Sequence, residues 1–259
     1  MGDSNDCDAW QDLARRAWLL LDLPCAVRPS IPILYFGDLE AYRASKLRII
    51  TVGLNPSREE FPRANPFQRF PGGDRLDRSD VCALKRVLAG YFKHDPYESW
   101  FDSYEWVLTG LGASYYRGSC ATTLHTDLFS PIATDPTWTG LGAERQRPYR
   151  EAGLRLWHDL VGLLRPHLVI LSVARKHLDE LRFPWDGPWR PLHTLTTSKR
   201  GPRRKPYVVE CRTTREGPVF VFGPAAQKPF GTVSGEDRID IGQRVRGCPR
   251  LPPACGDEE

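Results

Sequence analysis

The chain has 259 residues, of which 41% are apolar and 26% are charged, and it carries a net charge of +4 with a pI near 8.7. This composition excludes a globally disordered chain and is sufficient for a sizeable buried core. The sequence has no run of about 18 apolar residues, which a membrane-spanning helix would need, and its acidic first residues lack the basic start of a secretory signal. We therefore expect an intracellular, cytoplasmic protein that does not enter a membrane.

Apolar spacing predicts alternating helices and strands in chain order. Residues 8–24 have apolar residues at helical spacing, with Asp8 near the start and Pro24 beyond the end, which predicts an amphipathic helix. The other predicted helices are 78–92, 97–111, 144–166 and 234–247. The predicted strands are 46–54, 120–133 with a loop opening at Ser130, 167–173, and a hairpin-like pair within 207–224. Residues 246–259 are rich in proline and acidic groups and are expected to be loose.

The cysteines are spread along the chain without a C-x-x-C pair. They are seven in number and lie at positions 7, 25, 82, 120, 211, 248 and 255. An odd number of scattered cysteines in a long chain is poor material for a disulfide framework, and zinc or iron–sulfur sites need tighter clusters. The sequence therefore predicts reduced thiols and no metal site.

Short continuous strands separated by helices favour a mainly parallel sheet covered on both faces, within one α/β domain over residues 1–245. Ligands of such folds bind beyond the carboxyl ends of the strands. That rule selects the loops that follow Leu54, Leu128 and Phe222.

These loops contain polar and aromatic groups but none of the common catalytic motifs. The first has Asn55 in a turn tightened by Gly53 and Pro56, the second has Asp127, and the third is 223–234. The sequence contains no nucleophile elbow, phosphate-binding loop, dinucleotide fingerprint or zinc-protease motif. An amide can position a water, an aromatic ring can stack on a flat ring, and a carboxylate can accept from an amino group. The loops therefore suit recognition of a planar base.

The strand and turn I-I-T-V-G-L-N-P-S, residues 49–57, resemble the first motif of the uracil-DNA glycosylase superfamily. The likeness is to the mismatch-specific and single-strand-selective branches, which have G-x-N-P, and the order of predicted elements agrees over residues 45–245. The resemblance implies a three-layer α/β/α sandwich with a central four-stranded parallel sheet. It also implies a DNA partner and hydrolysis of an N-glycosidic bond, leaving an abasic site, without a metal or cofactor.

In that family the asparagine of the motif aligns the attacking water, and the resemblance assigns this role to Asn55. Its neighbours Gly53, Leu54, Pro56 and Ser57 would then border the base. The alternative for Asn55 is a turn asparagine that bonds its own backbone.

The second strand ends in H-T-D-L-F-S-P, residues 125–131, where the single-strand-selective branch has a segment resembling H-N-L-C-P. The asparagine of that segment reads uracil, and Asp127 stands at the matching place with one residue of slippage. An ionised carboxylate only accepts hydrogen bonds, which suits the amino group of cytosine better than the O4 acceptor of uracil. In a closed pocket with a raised pKa, Asp127 could also protonate N3 of cytosine. The alternative is a capping aspartate that bonds nearby backbone.

Two further side chains are candidates for contact with the base. Phe67 would stack on it, in preference to Phe61 and Phe70, because its segment has room to fold back over the site. His125 lies on the same face of its strand as Asp127 and either acts as an acid or fills the core.

Excision of ordinary cytosine would destroy the host genome, so we expect recognition of a group added to the ring, such as a bulky 5-substituent. Modified cytosines of this kind mark foreign DNA, notably phage DNA. The hypothesis is a monofunctional glycosylase that excises modified cytosine from invading DNA. Its alternatives are a uracil or mismatch glycosylase of base-excision repair, a DNA-binding module that has lost catalysis, and a small-molecule hydrolase in which G-L-N-P-S holds a phosphate.

The third loop departs from the family pattern, because it has no His-Pro-Ser or Asn-Pro-Ser element. Lys228 could stabilise the leaving base electrostatically. Pro229 and Phe230 could form an apolar wedge that replaces a flipped nucleotide. Loop packing is the alternative for each of them.

A basic run with glycine and proline occupies residues 196–207 and is predicted to be an exposed loop. Its cations are Lys199, Arg200, Arg203, Arg204 and Lys205. They either contact DNA phosphates in a salt-dependent manner or form a solvated surface turn. No obligate protein partner is evident from the sequence.

Overall fold

The computed structural model of the protein describes residues 3–116, 118–198, 201–225 and 227–252. Its helices are α1 (Asp3–Leu19), α2 (Leu39–Ala44), α3 (Val81–Ala89), α4 (Glu98–Gly110), α5 (Gly142–Leu164) and α6 (Gly235–Arg246). Its strands are β1 (Ile49–Gly53), β2 (Ala113–Ser114), β3 (Ala121–Asp127), β4 (Leu168–Leu171), β5 (Trp185–Ser198), β6 (Gly201–Thr214) and β7 (Val219–Phe222).

The strands form a mixed seven-stranded sheet in the order β2-β3-β1-β4-β7-β6-β5. Strand β4 pairs in parallel with β1 and with β7, whereas β6 pairs antiparallel with β7 and with β5. Every residue of β1, β4 and β7 is buried, as expected of parallel strands covered on both faces. The α/β class predicted from the sequence is confirmed. The predicted sheet of four parallel strands is not what the structure shows, because the sheet has seven strands and an antiparallel end.

Helices α1, α3, α4, α5 and α6 lie where apolar spacing predicts them, with shifted ends. Asp80 caps α3 by accepting from the backbone N–H of Ala83 at 2.8 Å, and Ser234 caps α6 by accepting from that of Asp237 at 3.1 Å. The six-residue α2 is not predicted, because it is too short to show a helical period.

The chain divides into two compact units. The first comprises Met1–Leu39, Gly53–Tyr97 and Leu124–Leu164, and the second comprises Glu40–Val52, Glu98–Thr123 and Arg165–Glu259. In the first unit α1 packs against α3 and α5, and in the second unit α4 packs against α6. A single domain over residues 1–245 stays a prediction.

The backbones of α4 and α6 touch where two glycines meet. A methyl group at Gly110 would collide with the carbonyl of Ile239, and one at Gly242 would collide with the carbonyl of Val107. A Cβ at position 242 would also lie 2.8 Å from the Cα of Gly110. The helices can therefore approach this closely only because neither position has a side chain.

Strands β5 and β6 form a long antiparallel hairpin, here called the ribbon (residues 185–214). The basic run over 196–207 was expected to be a loop, and that prediction is wrong, because its described residues lie in the two paired strands. The run contains Pro202 and Pro206, which disfavour a strand except at edges and bulges.

The two outer strands of the sheet are β2 and β5. Strand β2 has only two residues. Strand β5 contains Pro188 and Pro191, which have no backbone N–H to donate. Prolines are tolerated here because an outer strand has one unpaired side.

The residues that follow α6 are attached to the ribbon. Arg250 donates to the backbone carbonyls of Thr214 and Arg215 at 2.6 and 2.8 Å. Its guanidinium also lies 3.6 Å from the carboxylate of Asp186. The tail is therefore held up to this point rather than loose from residue 246, and residues 253–259 lie outside the described residues.

The described cysteines are free thiols: Cys7, Cys25, Cys82, Cys120, Cys211 and Cys248. Cys255 lies outside the described residues. In the described part of the chain, no helix combines the length and the apolar content that crossing a membrane would require.

Candidate functional site

The loops that follow β1 and β3 lie side by side in the first unit. Leu128 donates its backbone N–H to the carbonyl of Gly53 at 3.0 Å, and Phe129 donates to that of Leu54 at 2.9 Å. The structure therefore brings together two of the three loops selected from the sequence. The third loop, which follows β7, belongs to the second unit.

Asn55 is half-buried at the start of the loop after β1, and two hydrogen bonds orient its amide. Nδ2 donates to the carbonyl of Pro56 at 3.0 Å and to Oγ1 of Thr134 at 3.1 Å. The first bond is a contact with nearby backbone, as in the alternative of a turn asparagine that the sequence analysis left open. The second bond ties the amide to the loop after β3. Because both bonds use the nitrogen, Oδ1 has no donor among the described residues and is available to accept from a water molecule.

The carboxyl of Asp127 and the imidazole of His125 lie directly over Gly53. A Cβ at position 53 would be 2.5 Å from Oδ1 of Asp127 and 3.0 Å from Nε2 of His125. The two side chains are 3% and 2% exposed, and Nε2 is 3.7 Å from Oδ1. They share one face of β3, as alternation along the strand predicts. The glycine of G-L-N-P is therefore required here for space.

Asp127 is a buried hydrogen-bond acceptor with unused capacity. Its Oδ2 has no hydrogen-bond partner among the described residues, and no backbone N–H of those residues caps the carboxyl. The capping interpretation is therefore not supported. Burial raises the pKa of Asp127, and the neighbouring His125 only partly opposes that shift. A buried polar atom without a partner marks a position where a ligand or water completes the bonding.

A second buried carboxyl, Glu60, lies in the same loop as Asn55 and is not among the residues selected from the sequence. Tyr91 donates its phenolic O–H to Oε2 of Glu60 at 2.6 Å, and Nη1 of Arg69 is 3.9 Å from the same oxygen. Burial raises the pKa of Glu60 to about 7, the charge of Asp127 adds to the shift, and Tyr91 and Arg69 oppose it. A buried carboxyl with a raised pKa, influenced by the charge of a second carboxyl, is typical of sites that perform acid–base chemistry.

Arg69 brings a mostly buried positive charge beside Glu60. Its side chain is 13% exposed, and its Nε and Nη1 have no hydrogen-bond partner among the described residues. The guanidinium lies 5.4 Å from the centre of the Tyr97 ring. Arg69 therefore has donors left for an acceptor group of a ligand.

The three phenylalanines of the loop after β1 differ in accessibility. Phe61 and Phe70 are fully buried and stack on each other with ring centres 5.3 Å apart. Phe67 is half-buried and meets Phe61 edge-on at 6.2 Å. Of the three, Phe67 has the ring with surface left to stack on a base, and that role stays a prediction.

Several other residues of this loop are used by the loop itself. Oγ of Ser57 accepts from the backbone N–H of Glu59 at 3.1 Å and caps the short 3-10 helix Arg58–Glu60. Pro56 is buried, and Leu54 is half-buried. Their contact with a base stays a prediction.

Pro229 and Phe230 are buried inside the second unit. Phe230 donates its backbone N–H to Oγ of Ser172 at 2.9 Å, and its ring packs edge-on against Tyr104 with centres 5.9 Å apart. The predicted apolar wedge is therefore wrong, because both side chains pack in the interior of their own unit and do not reach its surface.

The cations predicted to contact DNA have different environments. Lys228 is exposed and donates to the carbonyl of Ser99 at 3.2 Å. Arg204 is exposed, whereas Arg203 is half-buried and bonded to backbone carbonyls. Two of the predicted contacts lie outside the described residues: Lys199 and Arg200.

Among the described residues, no group of three or more His, Cys, Asp or Glu side chains is arranged to hold a metal ion. No protein-family model matches the chain. No curated protein shows a significant match to it either. The function is therefore inferred from the chemistry of the site.

Proposed function

We propose that the protein is a DNA glycosylase that hydrolyses the N-glycosidic bond of an everted base and leaves an abasic site. One observation carries the proposal: adjacent loops hold an amide oxygen without a donor, on Asn55, and a buried carboxyl oxygen without a partner, on Asp127. The proposal includes the three-layer α/β/α sandwich of the uracil-DNA glycosylase superfamily. The parallel pairing of β1, β4 and β7 supports it, and β2, β5 and β6 would be additions.

Asn55 would orient the attacking water. Its Oδ1 accepts one O–H of the water while Thr134 holds the amide in place. The water oxygen forms a bond to C1′ of the sugar as the bond from C1′ to the base nitrogen breaks. The water then releases one proton to solvent and the departing base takes up one proton, so the products are a sugar hydroxyl and the free base. The amide of Asn55 does not accept the proton of the water near neutral pH, so its contribution is positioning.

Asp127 would recognise the base. Its raised pKa favours the protonated carboxyl to a higher pH than is usual for aspartate. In that form the carboxyl accepts from the amino group of cytosine and donates to N3, which makes the departing base a better leaving group. The preferred substrate is a 5-substituted cytosine of foreign DNA, since excision of ordinary cytosine would damage the host's own genome.

A uracil or mismatch glycosylase is the second candidate, and the raised pKa of Asp127 also favours it. A protonated carboxyl can donate to O4 of uracil and accept from its N3–H, as an asparagine would. Uracil recognition needs the proton throughout, whereas an ionised carboxylate still accepts from the amino group of cytosine. Binding of uracil should therefore fall as the pH rises through the pKa of Asp127, whereas binding of cytosine should persist. Excision of either base should fall, because the proton that Asp127 donates is lost.

The test uses duplexes that each carry one candidate base: uracil, cytosine or a 5-substituted cytosine. After incubation with the protein, alkali breaks the backbone at abasic sites. We expect breakage at the 5-substituted cytosine, and a loss of about 100-fold or more in rate for Asn55→Ala, because the water is no longer positioned. Asn65→Ala, an exposed asparagine of the same loop, is the matched control and should retain the wild-type rate.

Release of uracil with the 5-substituted cytosines untouched would contradict the substrate assignment. Binding of DNA without breakage of any duplex would identify a DNA-binding module that has lost catalysis. Product release from free nucleosides would identify a small-molecule hydrolase instead.

A further inference from the structure

Positive charge is concentrated in one segment of the chain. Residues 182–215, which include the ribbon, contain nine Lys or Arg and two Asp or Glu, so their net charge is +7. The whole chain carries +4, and the remaining residues therefore carry −3. A basic segment in an otherwise acidic chain is the electrostatic pattern expected of an element that binds a polyanion.

The ribbon carries part of this charge on a bulge. Leu195 pairs with Tyr207, and Thr197 pairs with Pro202. Between these two pairs β5 has one residue, Thr196, whereas β6 has four, residues 203–206. These four residues of β6 form the bulge. Bulges bend a strand and redirect its side chains away from the regular ladder.

The cations of the bulge differ in their contacts. Arg203 donates through Nε to the carbonyl of Thr197 at 2.8 Å and through Nη2 to that of Thr232 at 2.7 Å. Arg203 therefore anchors the bulge to neighbouring backbone. This structural role takes the place of the DNA contact that the sequence predicted for Arg203. Arg204 and Lys205 are exposed and have no side-chain partner among the described residues. Their charges are available to an external anion.

The composition of the ribbon around its bulge favours a duplex over a single strand. Residues 190–206 contain no Phe, Tyr or Trp, and the aromatic residues of the ribbon lie outside this stretch, at Trp185, Trp189 and Tyr207. Proteins that bind single-stranded nucleic acid stack its bases on exposed aromatic rings. Duplex DNA is instead bound through phosphates, and its major groove admits a two-stranded β-ribbon. Trp185, at the opposite end of β5, is covered by the guanidinium of Arg212 at 4.2 Å.

We propose that the ribbon binds the phosphate backbone of duplex DNA, with Arg204 and Lys205 as the phosphate contacts. This proposal rests on the proposed function only in its choice of DNA as the polymer. Phosphate contacts are independent of base identity, so the ribbon supplies affinity for DNA whether or not a base can be excised.

The experiment measures fluorescence anisotropy with an unmodified DNA duplex, its single strand and an RNA duplex, between about 50 and about 200 mM salt. The double variant Arg204→Gln, Lys205→Gln should weaken duplex binding. It should also reduce the slope of log K against log salt by about 1.8, because each phosphate contact contributes about 0.9. The control variant Arg147→Gln, Arg155→Gln removes the same charge from exposed positions of α5 and should leave the slope unchanged.

An unchanged slope in the ribbon variant, an equal loss in the control, or a loss confined to the single strand or to RNA would overturn the proposal. The midpoint temperature of thermal unfolding is measured for the ribbon variant as a control. It should equal that of the wild type, because only exposed side chains are changed, and this result shows that the fold is retained. Because the duplex contains no modified base, this measurement does not depend on excision. Failure of the glycosylase proposal and failure of the ribbon proposal are therefore distinguishable.

Discussion

Gly53 determines where two side chains of the proposed site can lie. The space that a Cβ would need is occupied by the carboxyl of Asp127 and the imidazole of His125. Gly53→Ala should displace both groups, with a loss of about 10-fold or more in excision rate and about 1 to 3 kcal/mol in the free energy of unfolding. Excision assays and denaturant unfolding measure the two effects.

The matched control for this prediction is Gly162→Ala on α5, where an added Cβ meets nothing within 4 Å. It should keep the wild-type excision rate and gain up to about 1 kcal/mol, because alanine is the better helix former. Wild-type activity in Gly53→Ala would show that the carboxyl over Gly53 takes no part in the reaction.

The residues of the site differ in how far the sequence could reveal them. Asn55 and Asp127 could be selected because Asn55 closely follows one buried strand and Asp127 ends another, and the ends of neighbouring strands lie close together. Thr134, which holds the amide of Asn55, is 79 positions away and has no local signal. Glu60 could not be selected, since a glutamate next to exposed Glu59 in a polar loop predicts exposure. Its burial comes from tertiary contacts such as that with Tyr91.

At the scale of whole elements, the contact between α4 and α6 depends on glycine. Gly242→Ala would push a methyl group into the carbonyl of Val107, so the helices must separate or shift. We expect a loss of about 2 to 3 kcal/mol in the free energy of unfolding, measured by denaturant titration. Gly235→Ala in the same helix is the control, because its Cβ would meet the Trp106 ring at an ordinary 3.4 Å. A loss in the control as large as that in Gly242→Ala would contradict this explanation.

Elements with a clear apolar period were predictable, and the ribbon was not. The five longer helices and the buried strands β1, β4 and β7 follow their apolar spacing. The ribbon is half exposed, carries prolines in both strands and has part of its charge on a bulge. Local propensity therefore predicts a loop over these residues. The ribbon is instead stabilised as part of the sheet because β6 pairs with β7 and β5 packs against α6.

For the molecule as a whole, Glu60 links stability to pH. Its pKa is about 7 in the folded protein and 4.5 in an unfolded chain, so the folded state binds the proton more tightly. Stability is therefore highest below the unfolded value and falls as the pH rises through the folded value. Between pH 5 and pH 8, Glu60 should lower the free energy of unfolding by about 2.5 kcal/mol, because one pKa unit corresponds to about 1.36 kcal/mol. Urea unfolding at a series of pH values measures the change.

Glu60→Gln tests the origin of this dependence. Glutamine cannot ionise but can still accept from the hydroxyl of Tyr91, so the variant should lose most of the decline with pH. Glu59→Gln, at the exposed neighbouring position, should keep the wild-type profile. A decline in Glu60→Gln equal to that of the wild type would assign the pH dependence to other groups.

The outer strands of the sheet also affect how molecules meet in concentrated solution. An unpaired strand edge is a template on which another chain can add, and this is a common start of aggregation. One margin here has only the two residues of β2, and on the other Pro188 and Pro191 interrupt the row of donors along β5. The two-residue β2 offers a foreign strand too few partners, and on β5 the prolines confine any added strand to the seven residues 192–198. Edge-to-edge association is therefore restricted to that short stretch.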